Sequence, residues 1–212
     1  MKTAIIGLGN IGSQVALNLM AGGQKVIVAD RGPTKAVDFA KSSNGMVRPA
    51  SVGAAIEEAD IIVLAVYFDA IKALLAEYRG KLTGKIIVDP SNPIAPDGSD
   101  GFKKTIPQDQ SSGKILAGLL PPDAKLVKAF GSLAAASLKT GARRSPEPNV
   151  LFYASDDRDA GNVVADLIKA SGFAPMRIGG IDQSIRIEVF GDLHEFGKLG
   201  KLVTAKEAAA LV

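Results

Sequence analysis

KTAIIGLGNIGSQVALNLMAGGQKVIVAD, residues 2–30, decides how the rest of the chain reads. It opens on a short apolar run, Thr3 to Ile6, and passes into Gly7, Gly9 and Gly12 in the spacing G-x-G-x-x-G. Ile11, Val15 and Leu19 follow at helical spacing, with Ala16 and Met20 beside them. Gly22-Gly23 stops that helix, and a second apolar run, Val26 to Ala29, ends in Asp30. The order is strand, tight turn, helix, strand, acid.

Each part has a use at a dinucleotide. Gly7 allows a sharp turn off the strand, Gly9 leaves room for a pyrophosphate, and Gly12 lets the helix pack closely on the strand. The loop Gly7-Leu8-Gly9-Asn10-Ile11-Gly12 is therefore the expected cofactor loop. Free N–H groups near Asn10 and Ile11 face the phosphates, and the positive end of the helix adds to the attraction. The same spacing also occurs in glycine-rich turns that hold no nucleotide. A strand before it, a helix after it and an acid about 20 residues on make the nucleotide reading the better one.

The chain has 212 residues, 47% of them hydrophobic and 22% charged, enough for one large domain or one and a half, with a real core. A net charge of +3 and a pI near 9.0, without a long Lys/Arg run, argue against a nucleic-acid or membrane patch. The absence of cysteine excludes disulfides, thiolate metal sites and thiol catalysis. The first apolar run is too short for a signal peptide, and no run is long enough to span a bilayer. These features lead one to expect a soluble protein, cytoplasmic if bacterial or archaeal.

Downstream, strands and helices alternate. Pro33 opens a helix whose apolar face is Ala36, Val37 and Ala40. Met46-Val47 begins a short strand, and Val52 to Glu58 reads as a brief helix. Asp60 to Val66 and Lys85 to Asp89 are nearly continuous apolar runs, the pattern of strands covered on both faces. Between them Ile71, Leu74, Leu75 and Tyr78 mark a helix. Residues 95–110, rich in Pro and Gly, read as a loop, a lid or a plain surface excursion. Helix at 112–120, strand at 126–130, helix at 134–138, strand at 149–154, helix at 160–170 and strand at 173–178 complete the alternation. Arg143-Arg144 reads as a solvated pair. The fold class is α/β, a Rossmann doubly wound parallel sheet with a small C-terminal extension. Residues 1–140 form the nucleotide-binding domain, and 141–212 form a subdomain that completes the sheet and closes or dimerises the site.

In such sheets ligands bind at the carboxyl ends of the strands. That rule brings together the glycine loop, Asp30-Arg31, Ala65-Val66-Tyr67, Ser91-Asn92-Pro93 and Phe130-Gly131-Ser132. The adenosine end points to Asp30 and Arg31, and the nicotinamide end to Val66, Asn92 and Phe130.

GLGNIGSQVALNL, ADIIVLAV, VDPSNP and KAFGS together, in this order, resemble the coenzyme F-420-dependent NADP oxidoreductases and, more distantly, the nucleotide domain of the STEAP metalloreductases. The resemblance runs from Lys2 to about Gly180. It implies a Rossmann enzyme, NADP(H) as cofactor, a deazaflavin or flavin as co-substrate, and a homodimer. The chain departs from the family at Asp30, where many relatives have Ser or Thr, at Gly131, where relatives carry Asn, and at Tyr67, where relatives often have Pro.

Arg31 suits a 2′-phosphate and favours NADP(H), whereas Asp30 suits a ribose hydroxyl and favours NAD(H). Both fit only if Asp30 turns aside. Hydride transfer asks mainly for positioning, so no catalytic residue is assigned. Phe130, Gly131, Ser132 and His194 are the candidate substrate residues. His194, the single histidine, could donate a proton or orient a ring, or it could lie at the surface or in an interface. Asp109, Asp156, Asp157 and Asp159 form no metal pattern and read as loop acids and helix caps. The apolar tail from Ile185 to Leu202 is expected to form a dimer contact or close the pocket, with His194 and Glu195 reaching a partner's crevice. The expected partner is a small-molecule hydride acceptor or donor. Alternatives are reduction of a small carbonyl or imine, and a redox sensor that binds the dinucleotide without chemistry.

Overall fold

Four-residue runs of apolar side chains are stable only where both faces of a strand are covered, and the chain builds that cover from alternating helices. The computed structural model describes residues 1–99 and 101–212. In chain order come β1 (Thr3–Ile6), α1 (Asn10–Ala21), β2 (Val26–Ala29), α2 (Pro33–Lys41), β3 (Val47–Pro49), α3 (Val52–Glu58), β4 (Ile61–Leu64), α4 (Phe68–Glu77) and β5 (Ile86–Asp89). A hairpin of β6 (Ile94–Pro96) and β7 (Phe102–Lys104) follows. Then come α5 (Ser112–Ala117), β8 (Lys125–Lys128), α6 (Ala135–Thr140), β9 (Val150–Tyr153), α7 (Arg158–Ala170) and β10 (Ala174–Arg177). A 3-10 turn, Ile181–Ile187, and α8 (Ala205–Ala208) belong to the tail.

The main sheet is six-stranded, in the order β3-β2-β1-β4-β5-β8, and wholly parallel. Thr3 stands opposite Val26 on one side and Ile61 on the other. Alternation along each strand divides the core in two. Ile5, Val28, Val63, Val88 and Val127 pack under α1, α2, α6 and α7. Ala4, Ile6, Ile27, Ile62, Ile87 and Leu126 pack under α3, α4 and α5. Each fully buried Ile or Leu contributes about 1.5–3 kcal/mol, so the two layers fix the register on both faces.

β9 and β10 pair in parallel and meet the main sheet through an antiparallel bridge between Lys128 and Ala154, with N–H···O distances of 2.9 and 3.0 Å. The tail covers β9. Ile187, Leu193, Val203 and Ala208 join Val150 and Phe152 in a third apolar cluster. Among the described residues no helix is long and apolar enough to cross a membrane.

Four expectations change. The stretch read as a loop over 95–110 holds most of the β6–β7 hairpin, which begins at Ile94 and whose three-residue strands are too short to leave an alternating pattern. Val37 is exposed, and Phe39 takes its place against the core. Arg143 is not merely solvated: it donates to the carbonyls of Asn18, Ala170 and Ser171 at 2.7, 2.8 and 3.2 Å, filling acceptors that helix C-termini leave open. The apolar tail is satisfied within its own chain, so of its large side chains only Phe190 and Phe196 stay exposed.

Candidate active site

The glycine loop has two kinds of glycine. Gly7 sits at φ +94°, and a Cβ there would lie 2.5 Å from the Ala65 carbonyl oxygen. A Cβ on Gly12 would lie 1.9 Å from the Gly7 carbonyl oxygen and 2.9 Å from the Ala65 Cβ. These two glycines let α1 press onto β1 and β4. A Cβ on Gly9 would meet nothing within 4 Å. Gly9 is the N-cap of α1, with no side-chain cap and no acid in the first turn. Among the described residues the N–H groups of that turn have no side-chain cap and stand at the mouth of open space, which fits a pyrophosphate. A cleft of ≈ 520 Å³ opens there, lined by Gly9, Asn10, Ser13, Gln14, Lys35 and Lys139 among others.

The Asp30 carboxylate is held against the glycine loop. Its carboxylate accepts from the Leu8 N–H at 2.8 Å and from the Gly32 N–H at 3.3 Å, with the Lys35 ammonium 3.8 Å away. Burial alone would raise its pKa, but these N–H bonds and the Lys35 charge outweigh it and hold the carboxyl below its ordinary value. Arg31, next in the chain, is exposed. Lys35 and Lys139 escaped the sequence reading. Lys35 lies four residues beyond Arg31, in the first turn of α2, a nearness in sequence that could have flagged it, whereas Lys139 carries no local signal.

On the other side of the crevice, Ala65 and Val66 are half-buried and Tyr67 is 87% exposed. Ser91 and Pro93 are buried. Asn92, expected at the cofactor, has its amide committed elsewhere. It donates to the Gly131 carbonyl at 2.9 Å and accepts from the Val189 N–H at 2.7 Å. Phe130, Gly131 and Ser132 are buried as well, and the cleft at the glycine loop is lined from this side by Ala135, Ala136 and Lys139 of α6. The hydroxyl oxygens of Ser91 and Ser132 are buried without a hydrogen-bond partner among the described residues.

His194 lies neither at the surface nor in the crevice. It is 2% exposed, with Nε2 2.9 Å from the Gly131 carbonyl and Nδ1 accepting from the Phe196 N–H at 2.9 Å. These partners assign the proton to Nε2. Burial pushes its pKa down to about 4, helped by the Lys128 charge and opposed by the Gly131 bond. It is neutral at pH 7 and poorly suited to donate a proton to a ligand. Glu195 does not reach outward either: its carboxylate accepts from the Ala134 N–H, and its own N–H donates to the Ser132 carbonyl at 3.1 Å.

Beneath these turns runs a buried polar network. The Lys128 ammonium contacts Asp89 at 2.8 Å, Ser112 Oγ at 2.6 Å, Glu188 at 3.5 Å and the Ser91 carbonyl. Glu188 also accepts from the Ser112 and Gly113 N–H groups at 3.0 and 3.2 Å, capping α5 from a distance of more than 70 residues along the chain. Lys128 sits between apolar neighbours in a strand, and that was the one sign in the sequence that a buried partner must exist. Asp157 caps α7 through the Ala160 N–H at 2.8 Å, the cap role expected of that acid group.

A Rossmann sheet whose β1–α1 turn is open and uncapped defines the class, a dinucleotide-binding α/β protein. Residues 2–93 match the model of the family described as NADP oxidoreductase coenzyme F420-dependent. Over those residues the chain is similar to that family, and it is an oxidoreductase. It is 29% identical over 201 residues to an F420-dependent NADP reductase of Methanothermobacter marburgensis, covering 89% of this chain and 88% of that one. It is 27% identical over 187 residues to the metalloreductase STEAP3 of Rattus norvegicus, where the match takes in 88% of this chain but only 36% of the longer protein. A crystal structure of a hypothetical protein from Sinorhizobium meliloti superposes with a TM-score of 0.84 at 30% identity, over 96% of this chain and 95% of that one.

Proposed function

We propose that the chain transfers hydride between NADP(H) and a deazaflavin of the F420 type or a related planar acceptor. The observation that carries the choice of NADP(H) is the Asp30 carboxylate. Its bond to the Leu8 N–H engages it at the glycine loop, and the Lys35 ammonium 3.8 Å away and the exposed Arg31 beside it supply positive charge that a 2′-phosphate would take. The similarity to an F420-dependent NADP reductase of Methanothermobacter marburgensis supports both cofactor and acceptor.

When bound, NADP(H) supplies or accepts the hydride. The chain's own part is binding and orientation. The open space at Gly9 and the free N–H groups of α1 hold the pyrophosphate. Arg31 and Lys35 hold the 2′-phosphate. Ala65, Val66 and the buried turns after β5 and β8 set the wall against which two rings lie face to face. Such positioning can remove about 7–11 kcal/mol of barrier without an acid or base. We assign residues 1–140 to nucleotide binding and 141–212 to shaping the acceptor side, and we propose a homodimer that covers Phe190 and Phe196.

Side-by-side titrations with NADPH and NADH test the cofactor, and tighter NADH binding overturns the assignment. A panel of deazaflavin, flavin and small carbonyl or imine acceptors with NADPH tests the reaction. Turnover with carbonyls or imines alone refutes the deazaflavin reading, and cofactor binding without any turnover leaves a sensor. Light scattering of the full chain tests the dimer.

A further inference from the structure

The turn Phe130–Ser132 is held from far away in the sequence. Phe130 has φ +64°, a left-handed conformation that a residue with a side chain adopts at a cost and keeps only where its surroundings over-determine it. The surroundings here are specific. The Gly131 carbonyl accepts from Asn92 Nδ2 and from His194 Nε2, each at 2.9 Å. The Ser132 carbonyl accepts from the Glu195 N–H, and the Glu195 carboxylate accepts from Ala134. A Cβ on Gly131 would lie 2.7 Å from the Pro90 carbonyl oxygen, so this turn rests on the backbone of the turn after β5. The bracing segment is itself pinned, by Glu188 on α5 and by the Val189 N–H on Asn92.

We infer that His194 is a positioning residue: through the Gly131 carbonyl it sets the acceptor-side wall of the crevice and takes no part in proton transfer. The inference rests on the hydride-transfer reading above. Both ring nitrogens are occupied by backbone groups and the ring is buried, which removes it from direct contact with a ligand. The bond it makes falls on the residue between the strained Phe130 and the unpartnered Ser132 hydroxyl, where a small shift changes the shape of the wall rather than the glycine loop. Its position separates the two halves of the site: the pyrophosphate loop is built by β1 and α1, and the wall is braced by the tail.

The test compares His194→Gln, which keeps a donor at the place of Nε2, with His194→Leu, which removes both bonds, and His194→Asn, which is too short to reach Gly131. Binding of 2′,5′-ADP reads the adenosine half alone, and turnover of NADPH with a deazaflavin reads the wall. We expect 2′,5′-ADP affinity unchanged in all three. We expect kcat down by about 10- to 100-fold in the Leu and Asn variants, the scale of a misplacement of about 1 Å. His194→Gln should recover most of that rate and keep the native pH profile. A folded Leu or Asn variant with native kcat and KM overturns the inference, and so does a Gln variant that loses as much rate as Leu together with a limb of its pH profile. Should Leu fail to fold, Asn carries the comparison. If the native protein binds neither NADPH nor 2′,5′-ADP, the functional reading fails by itself. Amide hydrogen exchange at 131–134 still tests the brace: faster exchange in Asn but not in Gln supports it, and equal rates sink it.

Discussion

Replacing the two kinds of glycine should separate folding from binding. In Gly12→Ala the new methyl would lie 1.9 Å from the Gly7 carbonyl oxygen and 2.9 Å from the Ala65 Cβ, so α1 must lift off the sheet. Overpacking of this type costs about 1–3 kcal/mol, and a backbone obstacle places it near the top of that range. The better helix propensity of alanine returns up to about 1 kcal/mol. A net loss of about 2 kcal/mol lowers Tm by about 4–8 °C in a chain of this size. Gly9→Val meets no atom within 4 Å and has the extended backbone that valine accepts, φ −71° and ψ −167°. Its Tm should fall by no more than about 2–4 °C, the effect of giving up about 1 kcal/mol of N-cap preference. Its side chain instead fills the phosphate space. Losing two charge-assisted hydrogen bonds of about 1.5 kcal/mol each weakens NADPH binding by about 100-fold or more. Scanning calorimetry and isothermal titration read the two effects independently. Native affinity in a folded Gly9→Val, or an unchanged Tm in Gly12→Ala, would refute the reasoning.

Lys128→Met leaves Asp89 and Glu188 buried without a counter-charge and should cost about 3–5 kcal/mol in urea unfolding. His194 takes its proton near 6.5 when unfolded and near 4 when folded, so the unfolded chain binds more protons between those values. Stability from this group is whole above pH 6.5 and falls by about 3 kcal/mol as pH drops to 4. His194→Gln should flatten the urea midpoint across pH 6.5–4.5, and an unchanged slope there speaks against a buried neutral imidazole. Glu207, lowered to about 2 by the Lys201 ammonium and the Thr204 N–H, keeps the cap of α8 in place above pH 4.5. Amide NMR of residues 204–208 should record fraying as pH falls from 4.5 toward 2.

The central sheet was legible because each of its buried strands is a continuous apolar run and each crossover helix carries a periodic face. Thr3–Ile6, Val26–Ala29 and Ile86–Asp89 emerge within a residue of where the pattern puts them. The glycine loop was legible for the same reason: its function is written in local backbone requirements. The acceptor side was not. Asn92, Gly131 and Ser132 sit at strand ends, where topology alone nominates them as ligand contacts, yet their polar groups are mostly taken up by Val189, His194 and Glu195. Pairings across 60 to 100 residues leave no periodic trace. A lone histidine in a glycine-flanked tail looks the same whether it is exposed or locked against a carbonyl. Arg143 reads as surface charge because its three acceptors are helix-end carbonyls, which carry no side-chain signature.

The bond from the Leu8 N–H to the Asp30 carboxylate ties two decisions together that cofactor engineering treats as separate. On the proposed reading Asp30 bears on dinucleotide preference, and it also fastens the loop proposed to hold the pyrophosphate. Exchanging it for a serine would give a shorter side chain and no charge, easing a 2′-phosphate in while releasing the Leu8 amide. Improved selectivity and weakened grip would therefore arrive in the same variant. A lineage moving between the two cofactors at this position must repair the loop before the new preference becomes useful.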